Sequence, residues 1–75
     1  MLAFINFKEA PEQLEIEVDN DGINDLIQYL QFVEKSRDHI HLTIDTELNK
    51  SQIPEERQSF VRSVKYVTIR FIKAN

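Results

Sequence analysis

The feature that most restricts this chain is a change of hydrophobic period around Asp19. Before it, Leu14, Ile16 and Val18 alternate with Glu15, Glu17 and Asp19, a period of two that puts apolar side chains on one side of a strand and carboxylates on the other. After it, Ile23, Leu26, Ile27, Leu30 and Val33 fall at helical spacing and form one stripe. The junction Asp19-Asn20-Asp21-Gly22 offers side-chain oxygens that can cap the unpaired amides of a first helical turn. A strand therefore feeds straight into an amphipathic helix that ends near Ser36-Arg37-Asp38. The spacing predicts that the helix turns its stripe toward a sheet, with Tyr29 and Phe32 beside the stripe, either widening it or exposed.

The other elements follow from the same two periods. Leu2 to Phe7 is apolar on both sides, which predicts an interior strand, and Lys8 to Gln13, with Pro11, predicts a turn. Ile40, Leu42 and Ile44 alternate with His39, His41 and Thr43 in a third strand. Asp45 to Ser59 is polar and reads as a loop, in which Pro54 suits the first position of a brief helical turn containing Glu55, Glu56 and Arg57. From Ser63 to Lys73, Val67, Ile69 and Phe71 lie on one side of a long strand, with Val64, Tyr66, Thr68, Arg70 and Ile72 on the other. The expected fold is α+β, in the order strand-strand-helix-strand-strand, with one helix on one face of a four-stranded mixed sheet. The first and last strands are expected at its centre and the glutamate and histidine strands at its edges. The strands flanking the helix are expected to run parallel through a right-handed crossover.

Seventy-five residues leave room for a single domain, 1–75, with a small core. The chain has no cysteine, so the core has neither disulfides nor thiolate-bound zinc to support it. A formal charge of −4 repels a polyanion, so nucleic acid is not expected as a ligand. No apolar run approaches the ~20 residues that span a bilayer, and no leader pattern follows Met1; the expectation is a cytoplasmic protein without membrane contact.

Candidate chemistry is sparse. His39 and His41, two apart on a strand, project from one face, where both neutral rings could reach one metal ion with an oxygen from Glu15 or Glu17. Two histidines do not define a zinc site, and polar residues on an open sheet face are the default, so no metal is assigned. Glu15, Glu17 and Asp19 alternate with core positions, a pattern of hydrated carboxylates more than of a catalytic pair with one raised pKa. There is no nucleophile elbow or phosphate-binding glycine loop, and the single glycine, Gly22, sits at the helix start. The expectation is a non-enzymatic chain with no cofactor.

The segments Gly22-Ile23-Asn24-Asp25-Leu26-Ile27, Asp38-His39-Ile40-His41-Leu42, Glu47-Leu48 and Val64-Lys65-Tyr66-Val67-Thr68-Ile69 together resemble a family of small bacterial immunity proteins that protect cells from polymorphic toxins. The chain departs from that pattern between the histidine strand and the Glu-Leu step. Thr43-Ile44-Asp45-Thr46 stands where relatives carry a tryptophan and paired glycines. The resemblance implies a protein that binds a cognate toxin and neutralises it, and a basic nuclease would suit the acidic chain. The residues expected to meet such a partner are Glu15, Glu17, His39, His41, Tyr66 and Arg70 on the open sheet face, with Glu47, Glu55 and Glu56 from the loop. The alternative is a homodimer, formed by pairing of the exposed histidine or glutamate strand edge or by stacking of the open faces.

Overall fold

The computed structural model describes residues 1–44 and 53–74. Strand β1 (Leu2–Phe7) is buried from Leu2 to Ile5, as a strand apolar on both sides must be, and it lies at the centre of a three-stranded sheet. On one side it pairs antiparallel with β2 (Leu14–Val18), the alternating acidic strand, and on the other with β4 (Val61–Val64). The register gives this sheet two unlike faces. One carries Leu2, Phe4 and Asn6 beside Val18, Ile16 and Leu14; the other carries Ala3, Ile5 and Phe7 beside Glu17, Glu15, Ser63 and Val61. The second face is closed by the segment around Ile53 and by α2 (Glu55–Gln58), so that Ile5, Ile53 and Val61 form a small core edged by Phe7.

A second sheet consists of β3 (His39–Thr43) paired antiparallel with β5 (Tyr66–Arg70). The fold thus departs from the expected single four-stranded mixed sheet: among the described residues there are two sheets, of three and two strands, and every ladder is antiparallel. The expected last strand is divided at Lys65. Its first part ends its ladder with β1 at Phe4 and Val64, and the Lys65 carbonyl then accepts from the amide of Ile44, at the end of β3. One extended segment thus takes its hydrogen-bonding partners in series, which breaks the sheet where the partner changes. The strands before and after the helix, expected to run parallel in one sheet, lie in different sheets. The brief helical turn near Pro54 is present, with Pro54 one residue ahead of it as its N-cap.

Helix α1 (Asn20–Ser36) is pinned at both ends. At its start, Asp19 Oδ1 accepts from the Gly22 amide at 2.8 Å and also from the amino group of Met1, while the Asp19 amide donates to the Met1 carbonyl at 3.0 Å. At its end Arg37 adopts a left-handed conformation (φ 56°), its amide bonds to Val33 O, and its guanidinium lies 4.6 Å over the Phe71 ring. The amide of Phe71 donates to the Asp38 carbonyl. Helix α1 thus starts beside β1 and β2 and ends beside β3 and β5, and it contacts strands of both sheets. The molecule is long, 42 × 27 × 17 Å.

The helix is also turned about its axis relative to expectation. The inward line is Gly22, Leu26, Tyr29 and Val33, with Gly22 and Val33 buried and the other two half-buried. Ile23, Ile27 and Leu30, expected to face the sheet, are exposed, as is Phe32 on the opposite flank. At 100° per residue the inward line lies roughly 65° from the centre of the expected stripe Ile23, Leu26, Ile27, Leu30 and Val33. The cause is local: a Cβ on Gly22 would run into the Met1 carbonyl, so the one residue without a Cβ takes the close approach and fixes the rotation of everything after it.

Gly22→Ala should therefore destabilise the chain by about 1–3 kcal/mol, against the roughly 1 kcal/mol gain that alanine brings in an unconstrained helix; thermal denaturation reads the sign. The Asp19 carboxyl is held below its ordinary value by the Met1 amino group and then by the Gly22 amide. The stability it supplies is thus present above the unfolded value of about 3.9 and is lost as pH falls through its lowered folded value. Asp19→Asn should lower the melting temperature at pH 7 and make much less difference once the wild-type carboxyl is protonated, which paired melts at the two pH values would measure.

Candidate functional site

Alternation along β3 and β5 sorts their side chains onto two faces. Ile40 and Leu42 of β3 oppose Ile69 and Val67 of β5 on the side against which α1 packs, where Leu42 is buried. The other side carries His39 opposite Arg70, His41 opposite Thr68, and Thr43 opposite Tyr66. Four of the expected partner-binding residues, His39, His41, Tyr66 and Arg70, are thereby gathered on one open face, and Tyr66 is 79% exposed.

The polar groups of this face hold one another. The His39 and His41 rings meet edge to face with centroids 4.7 Å apart. His39 Nδ1 lies 2.7 Å from Asp38 Oδ1, so it carries the proton and donates it to the carboxylate, and the Arg70 guanidinium lies 3.5 Å from the same nitrogen. His41 Nδ1 lies 2.9 Å from Thr68 Oγ1. Both Nδ1 atoms are engaged, which holds the two rings against the sheet. Among the described residues no group of three or more histidine, cysteine or carboxylate side chains is placed to hold a metal ion.

The remaining expected residues are elsewhere. Glu15 and Glu17, expected on the same face as the histidines, belong to the other sheet. Their side is the one closed by α2, where Arg57 Nη2 donates to Glu15 Oε1 at 3.3 Å and the guanidinium lies 5.1 Å from the Phe7 ring. The sequence places Arg57 only in the brief helical turn; a cation directly after an acidic pair carries no signal that it will bridge back to β2. The Glu17 carboxyl is pushed above its ordinary value by partial burial and by its hydrogen bond to Glu15, as expected of two carboxylates on one strand face. Glu55 and Glu56 are exposed on α2, and Glu47 lies outside the described residues.

Among the described residues a hollow of about 700 Å³ is lined by Arg37, Phe71, Ile72, Lys73 and Ala74, at the far end of β5. No helix of the described residues is long and apolar enough to cross a membrane. Comparison with known proteins finds no matching family model, no matching curated protein and no matching solved structure.

Arg57→Ala removes an ion pair at half-exposed positions and a guanidinium–ring contact together. It is expected to cost about 1 kcal/mol in chemical denaturation, with no change in the β3–β5 face as followed by the histidine ring resonances.

Proposed function

We propose that the chain is a non-catalytic, protein-binding domain whose open β3–β5 face meets its partner, and that the partner is a bacterial toxin it neutralises. The observation that carries the binding reading is the convergence of His39, His41, Tyr66 and Arg70 on one side of a two-stranded sheet. Tyrosine and arginine are the residue types from which interface hot spots are most often built. The histidine rings are held by Asp38 and Thr68, so little side-chain freedom remains to be lost on binding. The toxin reading rests on the resemblance of the Asp38–Leu42 and Val64–Ile69 segments to small immunity proteins; His39–Leu42 of the first lies in β3 and Tyr66–Ile69 of the second in β5. The net charge of −4, with Glu55 and Glu56 exposed on α2, favours a basic partner, a nuclease among them, by speeding encounter and disfavouring acidic competitors.

Co-expression with the toxin encoded in a neighbouring reading frame is expected to restore growth and to yield a complex with the purified chain. Tyr66→Ala and His41→Glu are each expected to weaken that complex by about tenfold or more while leaving the melting temperature nearly unchanged. No rescue and no complex would overturn the toxin reading; a complex indifferent to both substitutions would move the interface off this face.

A further inference from the structure

Two apolar patches of the molecule are exposed. One lies on β2, where Leu14 and Ile16 stand outside the buried Leu2 and Phe4 that share their face of the sheet. The other is the flank of α1 formed by Ile23, Ile27 and Leu30, which Gly22 turns away from the inward line of Leu26, Tyr29 and Val33. All five side chains are between 43% and 58% exposed. We propose that a second copy of the chain covers them, in a closed twofold dimer in which the α1 flank of each protomer packs against the β2 stripe of the other.

The surface area supports a second copy as the occupant. A folded monomer of 8.9 kDa is expected to expose about 4,800 Å², whereas this chain exposes 5954 Å². Its radius of gyration is 14.0 Å, against about 11 Å for a compact chain of this length. The excess of about 1,100 Å² per chain becomes roughly 2,200 Å² across a pair, which is where obligate homodimer interfaces begin. One chain supplies both the exposed β2 stripe and the exposed helix flank, so a twofold axis satisfies both at once. A chain without cysteine and with only eight buried hydrophobic side chains among its described residues gains in this way the apolar burial that its small core lacks. This contact differs from strand-edge pairing and from stacking of the histidine faces; it leaves His39, His41, Tyr66 and Arg70 free and stands independently of the function proposed above.

Light scattering of the full chain at micromolar concentration should give twice the 8.9 kDa chain mass, with a melting temperature that rises with concentration. Ile27→Glu and Ile16→Glu, at positions the monomer itself leaves exposed, should each weaken the dimer by at least about 30-fold, and His41→Glu should leave it intact. Because the chain has no cysteine, Leu30→Cys and Leu14→Cys variants mixed with a short bis-maleimide provide a readout that does not depend on the glutamate variants folding. Cross-linked pairs joining the two different variants should dominate. A wild-type monomer, a ladder of larger species, a dimer indifferent to both glutamate substitutions or broken by His41→Glu, or cross-links only between identical variants would each overturn the proposal.

Discussion

Asp19 joins two parts of the chain that must meet for the rest to be placed, the residue ahead of β1 and the first turn of α1: its carboxylate accepts from the Met1 amino group and the Gly22 amide, and its backbone amide donates to the Met1 carbonyl. Capping alone would satisfy an amide and start a helix. Here it also brings the helix start so close to the chain beside β1 that only glycine fits at position 22. The direction of α1, its rotation and hence the choice of buried and exposed apolar residues all descend from that contact. Leu26, Tyr29 and Val33 go inward because Gly22 does, and Ile23, Ile27 and Leu30 go outward for the same reason.

The elements themselves were legible in the sequence because they are governed by local periodicity. β1, β2, α1 and β3 stand where the alternating and helical spacings put them, and β1 is central because it is apolar on both sides. What the spacings did not contain is which partner each part of the last strand would take. Val64 and Tyr66 look alike in the pattern, but one belongs to a ladder with β1 and the other to a ladder with β3. Nor did hydrophobicity reveal the rotation of α1. Isoleucine at positions 23 and 27 is a stronger inward signal than glycine at 22 or tyrosine at 29, and the steric demand of a backbone carbonyl distant in sequence decided otherwise.

The candidate face was partly legible for the same reason. His39 and His41 share a face because they are two apart, and Tyr66 and Arg70 share one because they are four apart; that the two faces coincide follows from the register His39 to Arg70. Glu15 and Glu17 were placed with them on the supposition of one sheet. Once the sheet divides, those carboxylates fall to the other half, where Arg57 engages one of them and the remaining charge pressure appears in the raised Glu17. Glu15 there ties α2 to β2 through Arg57.

The division at Lys65 also bears on the order in which the chain can assemble. The β3–β5 ladder joins Thr43 to Tyr66, 23 positions on, whereas the β1–β4 ladder joins Phe7 to Val61, 54 positions on. The longer closure costs about 0.6 kcal/mol more chain entropy for each doubling of length, and contacts between distant residues form slowly for that reason. Of these two ladders the one that bears the histidine face has the lower entropic threshold, while the β1–β2 hairpin, joining Asn6 to Leu14 over 8 positions, closes at less cost still and leaves the β1–β4 ladder as the costliest closure.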